Sequence, residues 1–361
     1  MKKATLILDD GTRFEGESFG YEGNAYGEVV FNTAMTGYPE ALTDPSYAGQ
    51  IMVLTYPLVG NYGVPSTSES SADGIERFME SDRIYPTGLI VGDYSEQFSH
   101  WNAQESLSEW LRREKVPGIT GIDTRRLTQL LREHGVMMGR IYIDGATNQP
   151  EETDYNKVNY VDLVSVPEVR RYGVGDGRKK VAMIDCGAKN NIIRCLVDRG
   201  VEVIRVPWNY DFNNLEFDGL FISNGPGNPE ACAEAVENIR KFIDNPEEKR
   251  PLMGICMGNQ LLAKAAGATI YKLKYGHRSH NQPVRMEGTE RCFITSQNHG
   301  FAVEPSTLRD GWEPYFTNMN DGSNEGIRHR EKPWFSSQFH PEASGGPVDT
   351  EFLFDDFIKL L

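Results

Sequence analysis

Short runs of apolar and β-branched residues open the chain at 5–8 and 13–19, two strands around an Asp10-Gly11 turn. Further strands are predicted at 28–31, 50–55 and 88–91. Helical spacing of apolar positions governs 106–112 and 124–133, the second stopped by Gly135. These elements predict a small α+β domain over residues 1–150. Apolar periodicity then fades. Residues 144–178 are rich in Pro, Gly, Asn and charge, and 151–178 are predicted as a linker, centred on 170–178. From residue 179 the text changes to strands alternating with helices. Strands are predicted at 180–185, 201–207, 217–223 and 251–255, with helices at 191–200, 230–243 and 257–266 between and after them. That alternation predicts an α/β domain over 179–361: an open, mostly parallel sheet with helices on both faces, whose ligands bind outside the carboxyl ends of the strands.

Two loops fall at such ends. In Gly254-Ile255-Cys256-Met257-Gly258 a buried strand turns sharply into a helix, with glycines flanking a cysteine. A thiol at that corner lies near a helix N-terminus, where the dipole favours thiolate and backbone N–H groups can meet an oxyanion. The same cysteine also fits plain core packing. A second segment, Phe339-His340-Pro341-Glu342, changes the balance. In an extended chain residues two apart share a face, so Glu342 can hold one nitrogen of His340 while the other serves Cys256, the logic of a Cys-His-acid triad. His299 is the rival base but has no carboxylate two residues away; a supporting or interface role is expected for it. His100, His134 and His329 are expected to be solvated. The loop Asn224-Gly225-Pro226-Gly227-Asn228 lacks the Gly-Lys-Ser/Thr ending of a phosphate loop, and Pro226 removes a donor such a nest would use. It reads instead as a tight turn that brings backbone near a reacting carbonyl.

Composition narrows the partners. A net charge of −15 argues against a broad surface for nucleic acid or anionic membrane. Five scattered cysteines without a Cys-x-x-Cys pair suit free thiols in a reducing compartment and offer no zinc framework. The apolar run after Met1 stops at Asp9-Asp10, so neither a signal peptide nor a membrane span is expected, and the cytoplasm is the default location. No metal-ligand cluster and no dinucleotide fingerprint are apparent.

The motifs Gly254-Ile255-Cys256-Met257-Gly258-Asn259-Gln260, Ser223-Asn224-Gly225-Pro226-Gly227 and His340-Pro341-Glu342 together resemble a class I, triad-type glutamine amidotransferase. The first half is similar to the small, glutaminase subunit of carbamoyl phosphate synthetase. That likeness rests on Phe31-Asn32-Thr33-Ala34-Met35-Thr36-Gly37-Tyr38-Pro39-Glu40, Asp44-Pro45-Ser46-Tyr47-Ala48-Gly49-Gln50, Gly60-Asn61-Tyr62-Gly63 and Gly121-Ile122-Asp123-Thr124-Arg125. It extends to Gly276-His277-Arg278-Ser279-His280-Asn281-Gln282-Pro283, and so covers nearly the full length. The resemblance implies hydrolysis of L-glutamine through a Cys256 thioester, with His340 moving the proton, Glu342 orienting it, and the N–H groups of Gly225 and Met257 meeting the oxyanion. Glutamine recognition is implied for Ser46, Gly225, Gly227, Met257, Gln260, Asn298, Gly300 and Phe301. Ser46 belongs to the first domain, which implies a site formed between the domains. No cofactor is implied on this chain. ATP and Mg, with bicarbonate, are implied for a large synthetase subunit that receives the ammonia through a tunnel and makes carbamoyl phosphate for pyrimidine and arginine synthesis, as a heterodimer or higher oligomer. Two departures stand out, since the family often has His at position 259 and Leu at 257, where this chain has Asn259 and Met257. Two rival readings are an amidotransferase of the anthranilate or guanylate type, which the first-half domain argues against, and an inactive scaffold or regulatory subunit of the same complex.

Overall fold

A computed structural model describes Met1–Leu361, and the chain divides into two units, Met1–Lys157 and Val158–Leu361. In the first, strands β1 (Lys3–Leu8), β2 (Arg13–Ser18), β3 (Ala25–Asn32), β4 (Gln50–Leu54), β5 (Gly88–Ile90), β6 (Gly118–Thr120) and β7 (Met137–Ile143) close into a barrel in the order β1-β7-β3-β4-β5-β6-β2. Closure leaves no sheet edge unpaired, which an α+β pattern alone does not convey. The closing strand β7, absent from the predicted elements, pairs antiparallel with both β1 and β3. Helix α1 (Leu107–Arg113) begins at a capping box in which Ser106 and Glu109 satisfy each other's backbone N–H. Its Leu107, Trp110 and Leu111, one face at helical spacing, pack with Val30, Met52 and Leu89 of the barrel. Helix α2 (Thr124–His134) is capped by Asp123 and ends at Gly135, as predicted. It walls an open cleft of about 740 Å³ within this unit, which takes in the Gly121-Ile122-Asp123-Thr124-Arg125 motif.

The second unit is built on a 10-stranded sheet. Its strands are β8 (Arg170–Tyr172), β9 (Lys180–Asp185), β10 (Glu202–Pro207), β11 (Gly219–Ile222), β12 (Leu252–Ile255), β13 (Thr269–Met286), β14 (Cys292–Glu304), β15 (Trp312–Asn318), β16 (Asn324–His329) and β17 (Trp334–Ser337). The order is β8-β10-β9-β11-β12-β17-β16-β15-β13-β14. The run from β10 to β17 is parallel, while β8 and the four strands beyond β17 pair antiparallel. The parallel core is as predicted; the long β13–β14 hairpin makes the sheet mixed. Segment 158–178, predicted as linker, instead holds the helix Tyr160–Val164 and the edge strand β8, paired with β10.

Strand alternation sets the helices on opposite faces. Leu220 and Ile222 of β11 join the core formed with helices α4 (Ala233–Ile243) and α5 (Met257–Ala265). Phe221 between them stacks on Phe354 and meets Phe357 edge-on, both in helix α6 (Phe352–Leu360). Helix α3 (Asn190–Val197) follows β9. The carboxyl ends of β9, β11, β12 and β17 therefore lie side by side, and the loops that leave them carry the side chains described next.

Candidate active site

Cys256 stands at the corner between β12 and α5 with φ 54° and ψ −102°, a backbone state that a non-glycine residue holds only under constraint. The constraint is visible. Its N–H donates to Ser337 O at 2.8 Å, and its carbonyl accepts from Gln260 N at 3.2 Å. The flanking glycines are demanded by close backbone approach: a Cβ on Gly258 would stand 2.2 Å from Ile222 O, and one on Gly254 2.8 Å from Gly258 O. Met257 is the first residue of α5, so its N–H has no acceptor within the helix. Gly225 lies in the loop after β11, where a Cβ would meet Cys186 O at 2.0 Å; Gly227 has φ +85°.

His340 reaches the same place from the end of β17. It forms a single bridge with Ser296 of β14, its N–H donating to Ser296 O at 2.9 Å. Its Nδ1 meets Glu342 Oε1 at 2.6 Å. The route to that contact differs from the predicted one. Residues 341–342 form a turn, closed by Ala343 N to His340 O at 3.1 Å, rather than an extended strand. Pro341 fits there because a turn asks nothing of its missing N–H. Both side chains are buried. Burial opposes charge on His340, yet the Glu342 carboxylate and the Cys256 side chain push its pKa up to about 10. Glu342 is held near 2: burial resists ionisation, and the charges of Lys189 and His340 outweigh it. Nδ1 is committed to Glu342, while Nε2, the nitrogen on the other side of the ring, makes no hydrogen bond, and the Cys256 thiol donates instead to Asn298 O at 3.6 Å.

Lys189 was not among the residues picked from sequence. It is buried, and its Nζ donates to Glu342 Oε1 at 3.0 Å and to Ala343 O at 2.8 Å. Asn191 Nδ2 adds a bond to Glu342 O at 2.5 Å. A lysine just ahead of a helix reads as a solvated surface residue. The available signal was its position at the end of β9, the same edge of the sheet as Cys256.

The expected substrate residues separate into groups. Gly225 and Gly227 lie in the loop after β11, and Met257 opens helix α5 directly after Cys256. Asn298 O accepts from Cys256 Sγ at 3.6 Å, and Gln260 Nε2 donates to Phe301 O at 3.3 Å, which brings β14 residues Asn298, Gly300 and Phe301 beside the corner. Ser46 belongs to the first unit. It lies buried in the one-turn helix Pro45–Tyr47, its N–H capped by Asp44 Oδ1 at 2.9 Å. Asn259 is fully buried and used at both ends: Nδ2 donates to Gln338 Oε1 and Oδ1 accepts from Ser336 Oγ, each at 2.8 Å. It ties α5 to β17 without titrating.

His299 does not face the thiol as a base would. Its Nδ1 meets Phe301 O at 2.8 Å and its Nε2 meets Gln297 Oε1 at 3.1 Å, while burial pushes its pKa well down. It joins a cluster with His277 and Glu325 in which the three ligand atoms lie within 4.8 Å of one another, so the expectation of no metal-ligating group needs amending. Two imidazoles and a carboxylate suit zinc chemically. The donors are nevertheless turned on each other and their neighbours: His277 Nε2 to Asp321 at 2.8 Å, His277 Nδ1 to Glu325 at 3.3 Å, and Asn318 Nδ2 to Glu325 at 2.8 Å. Burial opposes charge on His277, but the two carboxylates push it up to about 9. The group is an internal ion-pair network. His100 and His134 are exposed, as expected. His329 is half-buried: its Nδ1 accepts from Glu331 and Lys332 N–H groups, and its ring packs edge-on against Trp312 and Trp334.

Sequence comparisons meet this geometry. The family model for the carbamoyl-phosphate synthase small chain, CPSase domain, matches residues 6–141, and that for class-I glutamine amidotransferases matches residues 182–360. The arginine-specific small chain of carbamoyl phosphate synthase from Saccharomyces cerevisiae is 50% identical over 98% of this chain and 88% of its own. The chain belongs to the carbamoyl-phosphate synthase small-chain family. Its second unit is the family's glutamine amidotransferase domain. Multifunctional protein CAD of Squalus acanthias is 52% identical over 99% of this small chain, and the mitochondrial carbamoyl-phosphate synthase [ammonia] of Homo sapiens is 48% identical over 99%. The chain spans only 16% and 24% of those two relatives' own length. No helix is long and apolar enough to cross a membrane.

Proposed function

We propose that this small chain hydrolyses L-glutamine to glutamate and ammonia and passes the ammonia to a large synthetase chain. The observation that carries the reading is the contact at 2.6 Å between His340 Nδ1 and Glu342 on the imidazole that serves Cys256. In the proposed sequence the Cys256 proton passes to His340, and the sulfur attacks the side-chain amide carbon of glutamine. The carbonyl oxygen becomes an oxyanion facing the N–H groups of Gly225 and Met257, where loss of one donor typically costs ~10²–10³ in rate. His340 returns the proton to the departing nitrogen, and ammonia leaves. Water, its proton taken by His340, cleaves the γ-glutamyl thioester through a second oxyanion and releases glutamate. The fixed negative charge of Glu342 holds the ring in register through both steps, and Lys189 holds Glu342.

Gln260, Asn298, Gly300, Phe301, Gly227 and Ser46 are proposed to bind the substrate. The chain is proposed to carry no cofactor, with ATP and Mg used by the large chain to make carbamoyl phosphate from bicarbonate and ammonia, for arginine or pyrimidine synthesis. Association has a physical reason, because ammonia released to water would be protonated and lost. Free cysteines, four of five buried, support a reducing compartment such as the cytosol. The test supplies glutamine labelled with ¹⁵N at the amide to the complex of both chains. Label is expected in carbamoyl phosphate even against excess unlabelled ammonia. A wild-type chain inert with and without the large chain would leave only the scaffold role.

A further inference from the structure

Arg278 is a buried cation that the proposed chemistry does not yet use. It lies on β13, is 5% exposed, and pairs in register with Asn298 of β14. Its Nη1 donates to Tyr275 O at 2.8 Å, whereas Nε has no hydrogen-bond partner and no carboxylate of the chain forms an ion pair with it. Arg205, whose Nε also lacks a partner, differs in being paired to Asp185 at 3.0 Å. Removing a guanidinium from water without supplying an anion is strongly unfavourable, so a lone buried arginine marks a place where an anion arrives.

The position of the guanidinium says which anion. Two glycines stand against it: a Cβ on Gly276 would lie 2.6 Å from Nη1, and one on Gly300 3.4 Å from Nη2. At 2.6 Å a side chain on Gly276 would displace the guanidinium, and φ +73° there adds a second demand for glycine. Register neighbour Asn298 offers its carbonyl to the Cys256 thiol at 3.6 Å. Antiparallel partners stand about 5 Å apart and present their side chains to one face, so Arg278 lies about one strand spacing from the residue that touches the nucleophile. The reacting end of glutamine is its side-chain amide. Its other end carries a carboxylate a few bonds away. We infer that Arg278 binds the α-carboxylate of glutamine and makes the site select the free amino acid. The inference rests on the glutaminase reading above.

Glutamine is compared with its α-carboxamide, L-glutaminamide, which keeps the scissile amide and loses the charge. The assay uses the complex of small and large chains, with wild type, Arg278→Gln and Arg278→Lys. Wild type is expected to prefer glutamine. Arg278→Gln is expected to lose about 10- to 100-fold in kcat/KM for glutamine, chiefly through KM, the size of a charge-assisted hydrogen bond. For the carboxamide it should lose less than about 3-fold, so the preference collapses; Arg278→Lys should restore part of it. Because removing an unpaired cation relieves a cost, Arg278→Gln should melt no lower than wild type, while the rise in Tm on adding glutamine is lost. A preference that survives the substitution, an equal fall for both substrates, or loss of the large chain from the complex with preference intact would overturn the inference. In the last case the guanidinium meets a carboxylate of the partner chain. A wild type inert toward both substrates instead sinks the glutaminase reading itself.

Discussion

At the scale of single residues, the candidate site is an electrostatic chain: Lys189 to Glu342 and Glu342 to His340, whose ring also feels the Cys256 side chain. Each link is buried, so each charge depends on its neighbour. Replacing Lys189 by Met removes one of the two cations that Glu342 faces and leaves it with His340 alone. A loss of stability of about 3–5 kcal/mol is expected in denaturant unfolding, the cost of breaking a buried pair by one partner. An unchanged midpoint would mean that Glu342 draws its stabilisation from elsewhere. The pH dependence has two sides. His340 titrates near 10 rather than at 6.5, so its contribution is fully present below 6.5 and fades as the pH climbs toward 10. Glu342 titrates near 2 rather than at 4.5, so its contribution is present above 4.5 and fades as the pH falls toward 2. The difference in Tm between wild type and Glu342→Gln should therefore hold steady between about pH 5 and 6 and shrink on both flanks. A difference that grows in acid would contradict the assigned pairing. The cysteine corner and the His340–Glu342 contact were legible because residue type and neighbours announce them. Lys189 was not, because its role depends on a turn far along the chain that folds back to the end of β9.

At the scale of elements, the corner between β12 and α5 is defined by what cannot fit there. Gly258→Ala places a methyl 2.2 Å from Ile222 O, and backbone cannot yield as a side-chain tip does. Destabilisation of at least about 1–3 kcal/mol is expected, with activity falling as Cys256 shifts. A Gly258→Ala chain as stable and active as wild type would show that the corner tolerates a wider backbone. The parallel strands and their helices were readable because buried strands carry continuous apolar runs and each helix has a stop. Strand β7 was not, since its residues are half-buried on a barrel wall and follow directly on Gly135. The His340–Glu342 contact was expected from strand spacing and is made by a turn. Residues two apart can meet in either conformation, so the sequence could place the pair without settling the backbone between them.

At the scale of the whole molecule, each unit has a core of its own. The second is centred on β9, β11, β12, α4 and α5, with Ile184, Leu220, Ile239, Phe242 and Leu261 all fully or almost fully buried. A fragment of residues 158–361 is expected to fold alone, with a cooperative melt and native-like circular dichroism. A fragment starting at 179 should be less stable, because it loses β8 from the edge of the sheet and the Val166 N–H bond to Asp185 at 2.6 Å. Equal stability of the two would show that 158–178 behaves as the linker its composition suggests. The family's two halves were legible at this scale because their motifs lie in separate stretches of chain. The closed barrel was hidden by the short strands and long loops that compose it.

The account depends on a covalent bond between Cys256 sulfur and the γ-carbonyl carbon of glutamine. Acid quenching of the complex during turnover, followed by peptide mass spectrometry, tests it directly. A γ-glutamyl group is predicted on the peptide that contains Cys256, accumulating more in His340→Asn if attack survives and deacylation slows, and absent in Cys256→Ser. Full glutaminase turnover in Cys256→Ser, with no adduct on any cysteine of the wild type, would contradict it.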